Sequence, residues 1–316
     1  MFKKKAINLM LPLFRHGLLI GLSFVILYPI IFMLSNSFMP HAQLRDPSVV
    51  WIPRSLTLGN FRDIMYVMDY WGSLRNSFVY TVLPTFVQIG VCLLVGYGFA
   101  RFRFPFKRLL FGLVILTVIV PPITISTGLF RTFFNFNPFG IMGFLNMITG
   151  GAVPENINLI GSHWVTFIPA AFAASLRSGI YILIFRQFFA SMPRELEEAA
   201  RIDGAGPLRT FSKVMLPNAS NIALTTLMLA IVWNWNDYYT AATYIRVRPT
   251  IATSLSDVQS MLQQLPSVLG GYTNLTIVTT RIQAACLLGI APLLIMYVIL
   301  QGRLTESIEN AGLTGM

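Results

Sequence analysis

Six long apolar segments constrain this chain more than any other feature of its sequence. Each one supplies the roughly 20 helical residues that cross the hydrocarbon core of a membrane. The segments lie at about 17–38, 78–100, 109–129, 164–188, 219–241 and 282–301. Because 55% of the residues are hydrophobic and only 11% are charged, the composition lies outside that of soluble domains. We therefore predict an all-α membrane protein with six transmembrane helices.

The basic residues predict how these helices are oriented. Fourteen of the 23 Lys and Arg residues fall on one face: Lys3, Lys4, Lys5, Arg15, Arg101, Arg103, Lys107, Arg108, Arg186, Arg194, Arg201, Arg209, Lys213 and Arg303. An excess of Lys and Arg in such loops marks the cytoplasmic side, so both termini are predicted to be cytoplasmic. This placement accounts for the net charge of +11. A nucleic-acid-binding protein would instead need a contiguous basic surface. We expect an uncleaved first span, since Arg15 and His16 interrupt the N-terminal apolar run.

Three loops on the opposite face, at about 39–72, 130–160 and 242–280, are long and rich in apolar and aromatic residues. Loops of this length are usually functional or disordered, and these are too apolar for disorder. We expect them to form a cap that contacts a partner or a substrate. No low-complexity linker divides the chain, so residues 1–316 are predicted to form a single transmembrane domain.

The sequence does not contain the common motifs of nucleotide hydrolysis or metal binding. A P-loop ends in Gly-Lys followed by Ser or Thr, and the chain has no Gly-Lys pair. Its three His residues are far apart, and Cys92 and Cys286 lie inside apolar segments without metal-ligand spacing. We therefore expect no catalytic residue, no metal site and no cofactor bound by this chain.

A charged segment stands between the fourth and fifth apolar segments, in a loop at about 190–217. Three glutamates follow a proline and precede a glycine: Pro193, Glu195, Glu197, Glu198 and Gly204. Acidic side chains are favourable in the first turn of a helix, and glycine permits the left-handed turn that ends one. The pattern predicts a short helix of about two turns. A solvated amphipathic connector and a docking element for another protein are the two interpretations of such a helix.

The spacing in this loop resembles a family motif. Glu198-Ala199-Ala200, three residues, Gly204, nine residues, Val214, one residue and Leu216-Pro217 match the cytoplasmic EAA loop of ATP-binding-cassette importer permeases. Other fragments resemble the second permease subunit of maltose-type carbohydrate importers, including Trp51-Ile-Pro53, Asn76-Ser77, the run 97–105, Arg186-Gln-Phe-Phe189 and Trp235-Asn-Asp237. The resemblance extends over nearly the whole chain.

The resemblance implies a permease subunit of a binding-protein-dependent importer in the cytoplasmic (inner) membrane of a bacterium or archaeon. Such a chain forms half of the translocation pathway for a sugar or oligosaccharide. Its implied partners are a second permease subunit, two ATP-binding-cassette ATPase subunits that use ATP and Mg, and an extracytoplasmic solute-binding protein. The charged helix becomes a coupling helix that docks on an ATPase, and the implied coupling residues are Glu195, Glu198, Ala199, Ala200, Asp203, Gly204, Leu216 and Pro217.

Two groups of residues are candidates for the substrate pathway. Arg177 lies near the middle of the fourth apolar segment, where a charge is costly unless it meets water or an anion. Either it lines the pathway or pairs with an acid of the partner permease, or the span begins later and Arg177 lies at its boundary. The second group is Trp233, Trp235, Asn236, Asp237 and Tyr238. Aromatic and polar side chains together suit a sugar, although Trp and Tyr also populate membrane interfaces.

Other functions stay open on the sequence alone. A stand-alone channel or secondary transporter is one, although such proteins more often show intramembrane acids or inverted repeats. An importer permease for a non-sugar solute is another. The sequence also leaves open which sugar is carried and whether the permease is a heterodimer or a homodimer.

Overall fold

The computed structural model describes residues 2–46, 48–49, 52–264 and 275–313. These residues form helices and turns with no β-strand, apart from one isolated antiparallel bridge between Phe136 and Ile157. In chain order the helices are α1 (Phe2–Ser37), α2 (Gly59–Val67), α3 (Tyr70–Arg101), α4 (Lys107–Ile119), α5 (Pro122–Phe134), α6 (Ile141–Ile148), α7 (Trp164–Ala171), α8 (Ser178–Ser191), α9 (Glu195–Ile202), α10 (Pro207–Asn218), α11 (Ser220–Trp235), α12 (Tyr238–Tyr244), α13 (Ile251–Gln264) and α14 (Leu275–Leu313). The predicted all-α class is confirmed.

Three helices are long and apolar enough to cross a membrane: Pro12–Ser37 within α1, the whole of α3, and Val278–Gly302 within α14. Two further pairs meet this criterion together, with a bend of 105° between α4 and α5 and of 75° between α10 and α11. The first bend falls at Pro121 and Pro122, because proline removes a backbone donor and disfavours helical geometry in the residue before it. The described residues thus provide three to five candidate spans, and six spans stay a prediction.

The fourth predicted span, 164–188, is not one continuous helix. It is divided into α7 and α8 by a turn in which Ala173 and Arg177 both have left-handed backbones, with φ of +51° and +63°. A left-handed residue cannot continue a right-handed helix. Arg177 therefore lies directly before the first residue of α8 and not inside a helix.

One compact unit contains the described residues of Trp71–Ser254 and Leu293–Met316. Its centre is the packing of α3 against α8. A Cβ atom added at Gly96 would lie 2.6 Å from the Cβ atom of Phe185, so the two helices approach at glycine contact distance. The buried side chains at this centre are Ile89, Cys92, Leu93, Tyr97, Tyr181, Ile182, Phe185, Phe189, Phe211 and Met215.

The other compact unit contains the described residues of Met1–Tyr70 and Leu255–Pro292. Its core comes from α2, α13 and α14 and consists of Ile64, Met68, Val258, Leu262, Val278 and Ala285. Beside this core, Arg281 donates two hydrogen bonds to Asp63, with Nη2 at 2.6 Å and Nε at 3.0 Å from Oδ2. The membrane-length part of α1 leaves most of its apolar side chains exposed.

Candidate functional site

The charged helix α9 has the ends that its sequence predicts. Glutamates occupy its first turn, and Gly204 lies just beyond its last residue with a φ of +74°. The N–H of Gly204 bonds to the carbonyl of Arg201 at 3.0 Å, and the N–H of Ala205 bonds to that of Ala200 at 2.9 Å. These two bonds form a Schellman motif, which satisfies carbonyls at a helix C-terminus.

A buried ion pair attaches α9 to the rest of the unit. The Oε1 atom of Glu197 lies 3.0 Å from Nε of Arg101, and their side chains are only 8% and 6% exposed. Arg101 ends α3, and its Nη2 donates a 2.7 Å hydrogen bond to the carbonyl of Met192, which follows α8. One guanidinium therefore connects the ends of α3 and α8 to α9. Neither Arg101 nor Glu197 was among the predicted site residues.

The opposite side of α9 is open. Glu195, Glu198 and Ala199 are exposed, and Ile202 is 86% exposed directly before the glycine turn. Leu208 at the start of α10 is 81% exposed. This side of the loop thus exposes two apolar side chains beside the exposed glutamates.

Of the other predicted coupling residues, one is buried and the others are exposed. Ala200 is buried within the unit, so it packs on its own chain and only Ala199 is available to a partner. Asp203 is exposed, and its backbone N–H bonds to the carbonyl of Ala199 at 3.0 Å. Leu216 and Pro217 are exposed in α10, which leads into α11.

A second group of polar residues lies where α3, α8 and α11 meet. Gln88, which is only 1% exposed, donates hydrogen bonds to the carbonyl of Leu176 at 2.8 Å and to Oγ of Ser178 at 2.9 Å. Asn234 donates to Oε1 of Gln88 at 3.2 Å and to Oγ1 of Thr85 at 2.8 Å. Gln88 therefore holds both residues that flank Arg177 and also anchors α11. A polar residue within an apolar segment, such as Gln88, was the available sequence signal for this network.

Arg177 is held against an aromatic side chain beside this network. Its guanidinium carbon lies 5.2 Å from the ring centroid of Trp233, within cation–π range. The ring of Tyr181 stacks on the same indole, with 6.2 Å between centroids. Arg177 and Trp233 are thus the two predicted pathway residues that the structure brings together.

The remaining predicted pathway residues have local structural roles or are exposed. Trp235 is buried, and Nδ2 of Asn236 donates to the carbonyl of Val232 at 2.9 Å. Asp237 caps α12 by accepting hydrogen bonds from the backbone N–H and the hydroxyl of Thr240, at 3.1 and 2.6 Å. Tyr238 is 45% exposed.

Relatives of known function cover almost the whole chain. The sn-glycerol-3-phosphate transport system permease protein UgpE of Pectobacterium atrosepticum is 26% identical over 297 residues, covering 92% of this chain and 93% of the relative. The sulfoquinovosyl glycerol transport system permease protein SmoH of Agrobacterium fabrum is 27% identical, with coverages of 92% and 89%. The trehalose transport system permease protein SugB of Mycobacterium tuberculosis is 26% identical, with coverages of 92% and 93%.

A solved structure and a family model agree with these relatives. A chain of a bacterial ABC transporter involved in the import of the acidic polysaccharide alginate is similar in fold, with a TM-score of 0.69 and 23% identity, covering 93% of this chain and 96% of that one. The family model described as binding-protein-dependent transport system inner membrane component matches residues 88–309. The predicted resemblance to importer permeases is thereby confirmed, and the chain belongs to this family of inner-membrane transport components.

Proposed function

We propose that this transport subunit carries a sugar or a related polyol, and that it forms half of the pathway beside a second permease subunit. The family implies a solute-binding protein and an ATPase as partners. UgpE, SmoH and SugB are named for the transport of sn-glycerol-3-phosphate, sulfoquinovosyl glycerol and trehalose, and all three compounds carry several hydroxyl groups. Membership of the family displaces the stand-alone channel and the secondary transporter as alternatives.

The proposed topology has six spans, both termini in the cytoplasm and a bacterial or archaeal inner membrane around the chain. In this topology α7 and α8 together make the fourth span, although a turn divides them. The distribution of Lys and Arg supports the orientation. The exposed apolar surface of α1 supports an assembly in which lipid or a second permease covers it.

The single observation that carries the mechanism is the contrast between the two faces of α9. Glu197 is locked to Arg101 at the ends of α3 and α8, whereas Glu198, Ala199 and Ile202 are open. A partner that binds the open face transmits its movement to α3 and α8 through the buried pair. The geometry therefore supports a coupling helix, docked on one of two ATPase subunits that bind ATP and Mg.

Site-specific photo-crosslinking tests this assignment. A photo-reactive residue is placed at Ile202 or, as the matched control, at Phe172, which is 77% exposed and lies in the turn after α7. We expect the Ile202 adduct to contain an ATP-binding-cassette ATPase, identified by mass spectrometry from the native host, and the Phe172 adduct to contain none. An ATPase adduct from both positions, or from neither, would contradict docking at α9.

The same preparation tests the partners. Purification of the tagged chain in mild detergent is expected to recover a second permease, an ATPase and a sugar-binding protein. Recovery of only one type of permease chain would establish a homodimer instead. A binding protein specific for a solute without hydroxyl groups would contradict the proposed substrate class.

A further inference from the structure

Two buried donors beside Trp233 have no hydrogen-bond partner among the residues that the structure describes. They are Nη1 of Arg177 and the phenol oxygen of Tyr181, whose side chain is fully buried. Both side chains pack on the same indole: the guanidinium carbon of Arg177 lies 5.2 Å from its centroid, and the ring centroid of Tyr181 lies 6.2 Å from it. Buried polar groups are normally hydrogen-bonded, so two adjacent unpaired donors indicate a missing acceptor.

An acceptor with negative charge fits these two donors best. The ion pairs among the described residues do not include Arg177. The Arg177 side chain is half-buried with Nη1 closed to solvent, and a charge partly removed from water without a counter-charge is unfavourable because arginine stays protonated in proteins. An oxyanion supplies both the charge and the lone pairs that Arg177 and Tyr181 need.

The surrounding structure fixes the guanidinium for such a contact. The guanidinium packs on the Trp233 ring. Its N–H groups lie in its own plane and can donate in pairs to a carboxylate, sulfate or phosphate. Gln88 holds the carbonyl of Leu176 and the hydroxyl of Ser178, the residues on each side of Arg177. The backbone of Arg177 is left-handed, a conformation that asparagine or glycine adopts more readily.

We propose that Arg177 and Tyr181 form an anion site in the translocation pathway that binds the acidic group of an acidic sugar. This inference rests on the proposed function, because it assumes a carbohydrate pathway beside α8 and α11. Both donors are closed to solvent in this conformation. The substrate therefore reaches them in a state of the transport cycle in which α8 and α11 separate.

Binding of an acidic sugar to the assembled transporter tests the site. The complex purified from its host is titrated with sodium glucuronate, and thermal unfolding is followed against glucose at the same concentration and ionic strength. A ligand that binds only the folded state raises the midpoint of thermal unfolding as its concentration increases. We expect a saturable rise with glucuronate and none with glucose.

Three variants separate the charge from the fold. Arg177→Asn suits the left-handed backbone, so it is expected to fold while its apparent Kd for glucuronate rises at least tenfold. Arg177→Lys keeps the charge and should bind more tightly than Arg177→Asn. Tyr181→Phe removes only the phenol oxygen, and we expect a threefold to tenfold rise in Kd.

Three results would overturn the inference. The first is equal behaviour of glucuronate and glucose on the wild-type complex, and the second is an unchanged Kd in Arg177→Asn. The third is loss of the second permease from the Arg177→Asn complex, which would show that the acceptor is a carboxylate of that partner. If the preparation contains no ATPase at all, the proposed function itself is wrong. If the complex is intact but does not bind glucuronate, only the anion site is wrong.

Discussion

Arg101 and Glu197 form an ion pair of 3.0 Å with both side chains more than nine-tenths buried, joining the last residue of α3 to the short helix α9. The neighbouring Glu198 is exposed. Two adjacent glutamates thus have opposite environments, since one pairs with an arginine of its own chain inside the fold and the other faces solvent.

Replacement of Glu197 by glutamine is expected to destabilise the fold. The change leaves Arg101 as a buried charge without its counter-ion, which costs about 3–5 kcal/mol. The matched control is Glu198→Gln, which should stay within about 0.5 kcal/mol because that side chain is exposed. Thermal or denaturant unfolding of the purified chain in detergent measures both, and equal stabilities of the two variants would show that the pair is not structural.

Gly204→Ala is expected to destabilise the end of α9 through the backbone alone. A Cβ at this position meets no atom within 4 Å, but φ is +74°, where a residue with a side chain is disfavoured by about 1–2 kcal/mol. Gly206→Ala is the control, because its Cβ also meets open space while its φ is −71°. Hydrogen exchange of the backbone amides at the end of α9 should become faster in Gly204→Ala and stay unchanged in Gly206→Ala. An equal increase in both variants would show that the left-handed backbone is not the cause.

The ends of α9 were predictable because they depend on local residues. First-turn glutamates and a glycine in a left-handed turn act within one helix, so the sequence contains the whole cause. The choice between Glu197 and Glu198 was not predictable, since it depends on where Arg101 lies in the folded chain. The EAA spacing includes the exposed Glu198 and does not include the buried Glu197.

The broken fourth span shows the limit of hydropathy. Residues 164–188 are mostly apolar apart from the residues near Arg177 and the pair Arg186-Gln187 at the end of the segment, so the average hydropathy of the segment predicts one helix. The division comes from left-handed backbones at Ala173 and Arg177, and from hydrogen bonds that Gln88 provides from α3. A non-local partner of this kind leaves no mark in the apolar pattern of the segment itself.

Gly96→Ala is expected to separate α3 from α8. The added methyl group would lie 2.6 Å from Cβ of Phe185 and 3.0 Å from the backbone nitrogen of Arg186, and backbone atoms cannot move aside locally. Overpacking of this kind costs about 1–3 kcal/mol. Gly90→Ala in the same helix meets no atom within 4 Å and should be neutral or stabilising by up to about 1 kcal/mol. Unfolding midpoints in the reverse order would contradict the close approach.

His41 is expected to make the fold weaker in mild acid. Burial lowers the pKa of His41 from its ordinary 6.5, the Arg281 guanidinium lowers the pKa further, and Asp63 opposes both effects. The unfolded chain therefore takes up a proton before the folded chain does, so stability falls as pH drops below about 6.5 and levels off below the lowered pKa. His41→Gln should reduce the loss of thermal stability between pH 7.5 and pH 5, and an unchanged pH profile in that variant would assign the loss to other groups.

Gln88 is expected to position the proposed anion site through its neighbours. Gln88→Leu removes the donors that hold Leu176 and Ser178 and the acceptor for Asn234, so Arg177 and Trp233 lose their fixed separation. We expect a rise in KM for transport with a smaller change in turnover, together with a loss of about 1–3 kcal/mol of stability from unsatisfied buried groups.

Thr85→Val provides the comparison that isolates positioning from general weakening. Thr85 accepts a hydrogen bond from Asn234 at 2.8 Å, and in the Thr85→Val variant Gln88 still holds the turn that carries Arg177. The variant should therefore lose stability while its KM for transport stays near the wild-type value. If both variants raise KM by the same factor, the rise results from a general loss of stability and not from positioning by Gln88. A rise confined to Gln88→Leu shows that the amide acts on the substrate by fixing the residues on each side of Arg177.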